Sequence, residues 1–179
     1  MASLPAALAC MGVPKSIADM PCGEVAVFVC FGLVAVTGTD RVLNGQVGAT
    51  SALASVAIGG PAAAALALNN HRDIAHDRLV GRRATAVAFG EAGSRRLFAA
   101  LPFGPFVLVL VLVPAMALSA QAVGMLLPLL LLPSARRVHR AFVSGPRGVA
   151  MNEVLFATFR LELWFAALLS AGALLGRWV

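Results

Sequence analysis

Asn69, Asn70, Asp73 and Asp77 gather four oxygen-bearing side chains into one short polar stretch, residues 69–90, of a chain that is otherwise largely apolar. If the first part of that stretch is helical, Asp73 and Asp77 stand at i and i+4. Asn69 then lies one further turn back and Asn70 beside it, so all four project from one face. Two carboxylates and two amides at this spacing are hard oxygen donors suited to Mg²⁺, which takes one or two protein carboxylates and completes its shell with water and substrate phosphates. Arg72, Arg78, Arg82 and Arg83 surround the ledge with fixed positive charge. Guanidinium groups match phosphate oxygens bidentately, which points to a diphosphate site with its metal more than to a bare metal store. His71 and His76 are candidate proton acceptors, weighed against the plainer reading of interfacial histidines that meet only solvent.

The elements that must hold this ledge are membrane helices. The chain is 60% hydrophobic and 12% charged, with a mean hydropathy of +0.88. Apolar runs near or above about 18 residues indicate bilayer spans rather than a soluble core. The expected fold is all-α: a single polytopic helix bundle over residues 1–179 with about five spans. Residues 1–22 form a poorly defined N-terminal segment, since the apolar run 1–12 is too short to span and lacks the positive n-region of a signal peptide. The first span is 25–39, with Glu24 at its mouth. The second is 47–68, where Gly59-Gly60-Pro61 predicts a break that neighbouring helices must cover. The third is 97–118, kinked by Pro102, Pro105 and Pro114. The fourth, 123–132, reaches span length only when extended over 120–136. The fifth is 153–176 and carries Arg160 and Glu162, which are functional candidates inside a span unless they snorkel to the interface. Cys10, Cys22 and Cys30 show no C-x-x-C spacing and read as small buried hydrophobes.

A formal charge of +6 and a pI of 11.0 raise the question of nucleic acid, but no aromatic-basic interleaving or soluble binding motif accompanies them. The basic residues sort by side instead. Lys15, the six arginines from Arg72 to Arg96 and the four from Arg136 to Arg147 fall on one side of the proposed spans, against Arg41 and Arg177 on the other. That asymmetry places the motif and loop of residues 69–96 in the cytoplasm, and the chain in the cell's inner membrane.

The string N-N-H-R-D-I-A-H-D-R-L-V-G-R-R-A-T-A-V resembles the second aspartate-rich motif of the UbiA-type intramembrane aromatic prenyltransferases. It is most similar to the branch that prenylates 1,4-dihydroxy-2-naphthoate in menaquinone synthesis. Asn69, Asn70, Arg72, Asp73, Asp77, Arg78, Gly81 and Arg83 match the family's N-N-x-R-D-x-x-x-D-R-x-x-G-K-R-T, with Arg82 in place of Lys and Ala84 in place of Thr. Gly23-Glu24-Val25, residues 31–35 and Gly38-Thr39 are similar to the family's helix before the motif, and Asn152 with Ala157-Thr158 to its last helix.

The resemblance implies the C-terminal part, about helices five to nine, of a nine-helix fold. It implies an Mg²⁺-dependent transfer of a polyprenyl chain from its diphosphate to an aromatic acceptor. Asp73, Asp77 and Asn69 would hold metal, with the two aspartates catalytic, and Asn70, Arg72, Arg78, Arg82 and Arg83 would bind the diphosphate. The family's first motif, N-D-x-x-D, is absent here, and Asp40-Arg41 stands where a Tyr-Tyr pair is usual. A truncated reading frame, a degenerating gene or a half-length paralogue is expected, inactive alone or assembled with a complementary N-terminal half. Dihydroxynaphthoate and 4-hydroxybenzoate stay open as acceptors, as does a non-catalytic membrane component.

Overall fold

The structure, a computed structural model, describes residues 21–115, 123–145 and 149–175. Every element among them is helical. In chain order they are α1 (Gly23–Asn44), α2 (Ala49–Arg72), α3 (Ile74–Leu79), α4 (Thr85–Ala100), α5 (Gly104–Ala115), α6 (Leu132–Val143) and α7 (Val149–Leu175). Among the described residues, four stretches are long and apolar enough to cross a bilayer: Gly23–Asn44, Ala49–Arg72, Thr85–Val111 and Ala150–Leu175. The chain is a polytopic helical bundle.

α2 is its mast. Leu53, Ala57, Ala64 and Leu68 are buried along it, whereas α1 buries only Gly23, Glu24 and Gly32. The two helices form a hairpin. Gly45 closes α1 at φ 74°, a left-handed conformation that costs glycine nothing. The Asp40 carboxylate then accepts hydrogen bonds from the Asn44 amide (2.6 Å), the Gly48 backbone N–H (2.8 Å) and the Ser51 hydroxyl (2.5 Å). Midway, α1 widens to π-type winding over Phe28–Thr37. There Gly32 lies so close to α2 that a Cβ would sit 2.5 Å from the Ser55 carbonyl oxygen and 2.7 Å from the Gly59 Cα.

The break expected at Gly59-Gly60-Pro61 does not occur, because α2 runs unbroken through Pro61 with all three residues buried. Their smallness serves contact instead. Gly59 admits α1, and a Cβ on Gly60 would stand 3.0 Å from the Pro105 ring. The third span starts earlier than expected, at Thr85, bends at Gly90 (φ 71°) and turns again over residues 101–103, where the proline signal was correct. The expected fourth span is not one helix among the described residues. A 3₁₀ turn, Leu127–Leu131, gives way to α6, and prolines at the start of both elements remove backbone donors that a continuous helix would need. Residues 116–122, which include the end of the third span, lie outside the described residues, as do residues 1–20. The last span lies where the sequence puts it.

Among the described residues, two apolar clusters hold the bundle. Leu53, Ala57, Phe106, Val109, Leu161 and Phe165 join α2, α5 and α7. Leu68, Phe98, Val138, Phe142 and Val154 join α2, α4, α6 and α7 beneath the polar stretch. The cysteines depart from expectation. Cys22 is exposed and Cys30 half-buried, and Cys10 lies outside the described residues.

Candidate functional site

α2 delivers Asn69, Asn70, His71 and Arg72 together at its last turn, and its end fixes what each can reach. Asp73 leaves helical geometry (φ −94°, ψ 5°) and α3 restarts behind it, so the single ledge expected of a continuous helix is divided. The four oxygen-bearing side chains turn to separate surroundings.

Asn70 points inward. Its amide donates to Glu24 Oε1 at 2.9 Å, and the Thr85 hydroxyl donates to Glu24 Oε2. Glu24, Asn70 and Thr85 are all buried, so one carboxylate ties the start of α1 to the end of α2 and the start of α4. Beside it, His71 Nδ1 lies 3.1 Å from the Ser94 hydroxyl, and its ring meets Phe142 edge-on at 5.1 Å. Arg72 makes a fork on Asp73, with Nε to Oδ1 at 2.7 Å and Nη2 to Oδ2 at 2.8 Å. Its remaining Nη1 donates to Asn152 Oδ1 on α7 at 2.9 Å. Each guanidinium edge is thereby satisfied with matched geometry.

Asp77 is 1% exposed, with Arg82 Nη1 3.6 Å from its Oδ1 and no hydrogen-bond partner for its Oδ2 among the described residues. The Arg82 backbone N–H donates to the Asp77 carbonyl at 2.8 Å, and Gly81 at φ 72° makes that return possible. Asn69 faces the other way. It lines a groove of about 420 Å³ between α1, α2 and α7 with Val27, Phe31, Leu66, Phe159 and Glu162. His76, Arg78 and Arg83 are exposed around this end.

Glu24, Thr85 and Ser94 were missed as members of the site by spacing. Glu24 had a signal, an acidic residue opening an apolar run, but nothing in the spacing of Thr85 or Ser94 names their partners. The contacts of Arg72 with Asn152, and of His71 with Phe142, bring the start of α7 and the end of α6 against the motif. Gly145 adds to this, since a Cβ there would lie 3.5 Å from Arg95 Nη2. Both basic segments therefore share one end of the bundle, opposite Asp40.

As a cation site, this end has the right donor chemistry and an incomplete set. No group of three or more His, Cys, Asp or Glu side chains that could hold a metal ion occurs among the described residues. The buried Oδ2 of Asp77 is nonetheless a hard oxygen donor without a hydrogen-bond partner among the described residues. Asp73, Asp77 and Asn69 are oxygen donors of the kind Mg²⁺ takes beside water and phosphate, and the structure gives each a different surrounding: Arg72 forks Asp73, Asp77 is buried beside Arg82, and Asn69 lines the groove.

Comparison with known proteins supplies a family. The chain is 37% identical over 155 residues to a 1,4-dihydroxy-2-naphthoate octaprenyltransferase of Mycobacterium leprae, covering 86% of this chain and 51% of that one. A Bacillus subtilis protein of the same name is 28% identical over 165 residues, covering 92% and 52%. UbiA prenyltransferase domain-containing protein 1 of Gallus gallus is 30% identical over 141 residues, covering 79% and 40%. The chain spans about half the length of the curated relatives it matches. No solved structure matches it. Residues 17–159 match the UbiA prenyltransferase family, a stretch that takes in the polar end of α2 and all its partners, and the chain belongs to that family.

Proposed function

We propose that this chain carries the second aspartate-rich half of an intramembrane prenyltransferase, which moves a polyprenyl group from its diphosphate to 1,4-dihydroxy-2-naphthoate in menaquinone synthesis. The observation that carries this reading is the carboxylate oxygen of Asp77 that has no hydrogen-bond partner among the described residues, buried beside Arg82 in a chain of this family. The acceptor rests on the names of the bacterial relatives. Prenyltransferases of this family are generally metal-dependent. Mg²⁺, when bound, would neutralise charge on the departing diphosphate.

Asp77, Asp73 and Asn69 would hold that ion. Arg78, Arg82 and Arg83 would grip the phosphates with Arg72 and Asn70 behind them, and charge developing on the diphosphate would meet fixed positive groups in a low-dielectric site. The apolar groove beside Asn69, walled by Phe31, Leu66 and Phe159, would take the prenyl chain and keep water from the allylic cation. The first motif would come from further helices, in the same polypeptide or another chain, set against the exposed flank of α1, where Val25, Phe31 and Val34 are uncovered. The basic end would face the cytoplasm of an inner membrane. Reporter fusions at Arg95 and Gly145 should both stay inside, and export of either overturns that topology.

The reaction is tested in membranes holding this chain together with a complementary half that bears N-D-x-x-D, supplied with Mg²⁺, a polyprenyl diphosphate and 1,4-dihydroxy-2-naphthoate. Prenylated naphthoate is expected, and Asp77→Asn should lower its rate by about 10²- to 10³-fold. An unchanged rate in that variant would remove Asp77 from the site. Product from 4-hydroxybenzoate alone would reassign the acceptor, and robust turnover by the isolated chain would show the first motif dispensable.

A further inference from the structure

On the flank between α6 and α7, away from the groove that Asn69 lines, lies a second cavity of about 280 Å³. Its α6 wall is Ser134, Arg137 and Ala141, and its α7 wall includes Glu153, Arg160 and Trp164. The spacing follows helical rows, so both arginines reach it from facing stripes. Arg137 and Arg160 are exposed, and neither makes a salt bridge or hydrogen bond among the described residues, Glu153 included.

The depth of Arg160 makes this arrangement unusual. It lies eight residues along α7 from Asn152, which the Arg72 contact places at the polar end, so at 1.5 Å per residue its Cα is about 12 Å further into the bundle. The surface around it is apolar. Leu130 is 71% exposed, Phe156 70% and Leu163 67%, as expected of side chains that meet lipid. A guanidinium at that depth without a protein anion is costly unless an anion reaches it from outside. Basic pockets between membrane helices on the positive side are a recurrent mode of anionic headgroup binding. At 280 Å³ the cavity has room for a phosphodiester head but not for a whole lipid.

The geometry points to an anionic phospholipid seated here, its phosphate between Arg137 and Arg160 within reach of the Ser134 hydroxyl, and its acyl chains running down past Trp164. Glu153 at the outer end opposes a second negative charge, which favours a single phosphodiester. Trp164 offers an amphipathic ring at the level where head meets chain. The site is separate from the proposed reaction and stands whether or not that reading holds.

Trp164 also reports on the test. In a Trp178→Phe background it is the chain's single tryptophan. The full chain is placed in phosphatidylcholine nanodiscs, into which phosphatidylglycerol or phosphatidylcholine with brominated acyl chains is titrated. Quenching should half-saturate at a much lower fraction of phosphatidylglycerol than of phosphatidylcholine. An arginine at an anionic surface is worth about five-fold in binding, so R137Q and R160Q should each weaken the preference by about that factor and the double variant by roughly 25-fold. R41Q, at the opposite end of the bundle, should keep it. The single variants carry the comparison if the double variant fails to fold. Equal quenching by the two lipids, or a preference kept in R137Q and R160Q, overturns the proposal. A preference erased by millimolar inorganic phosphate does so too, since the cavity would then be a site for free anions.

Discussion

Two carboxylates sit near the two ends of α1 and do opposite work. Asp40 ties residues 4, 8 and 11 positions away and closes one turn. Glu24 ties residues 46 and 61 positions away and holds three helices together. Asp40 is half-buried among groups that water reaches, whereas Glu24 is 6% exposed. A buried carboxylate has no alternative partner, so its neighbours must be placed for it, and the residues beside those neighbours are placed as well. Asn70 is fixed by Glu24, and Asn69, His71 and Arg72 flank it on the same turn. The polar end of the bundle is thereby organised from beneath, by a residue outside the aspartate motif.

The largest expected effect follows from removing that organiser. Glu24→Ala leaves the Asn70 amide and the Thr85 hydroxyl buried without an acceptor. At about 1–3 kcal/mol for each unsatisfied group, the loss is roughly 2–6 kcal/mol. Thermal unfolding of the purified chain in detergent measures it. Glu24→Gln should recover part of the loss, because its amide oxygen still accepts one of the two bonds. A Glu24→Ala chain as stable as the parent would sink the contrast between the two ends.

Arg72→Lys comes next. An ammonium cannot fork on Asp73 and reach Asn152 together, since it is a point charge on a flexible stem. The site is partly exposed, so about 1 kcal/mol of stability is expected to go. A double-mutant cycle with Asn152→Ala separates the tie to α7 from the fork on Asp73. Additive losses would mean that α7 is held at this end by its apolar contacts alone.

The same contrast explains what was legible beforehand. Local features read well. The apolar runs located α1, α2 and α7, and the prolines at 102 and 105 located the turn before α5. The motif itself was visible because its residue types are rare in a membrane chain. Features set by distant partners did not read. The pull of Glu24 on Asn70 and the anchoring of Arg72 to Asn152 turn side chains of one sequence stretch toward different helices, so a ledge drawn on an isolated helix could not foresee the division at Asp73. Gly59-Gly60-Pro61 failed for the same reason. A break is the intrinsic preference, and the close approach of Gly32 and Pro105 favours the continuous helix instead.

Asp40→Ala should have the smallest effect of the set, although Asp40 accepts three hydrogen bonds and Glu24 two. The number of bonds does not decide the outcome; the fate of the abandoned donors does. With Asp40 gone, the Asn44 amide and the Gly48 N–H lie at the end of the hairpin where water can replace the carboxylate, and the Ser51 hydroxyl can turn its one proton to the Gly48 carbonyl, 2.9 Å away. Gly45 still terminates α1 through its own backbone bond to the Arg41 carbonyl at 3.0 Å. The fall in thermal stability should be the smallest of the three, as for hydrogen bonds exchanged for water. Diphosphate binding at the far end should not change. Thermal unfolding and Mg²⁺-dependent binding of an isoprenyl diphosphate, measured on the same preparation, check both parts. A fall in binding would mean that the hairpin turn is coupled along α2 to the polar end, and that the two carboxylates belong to one system rather than two.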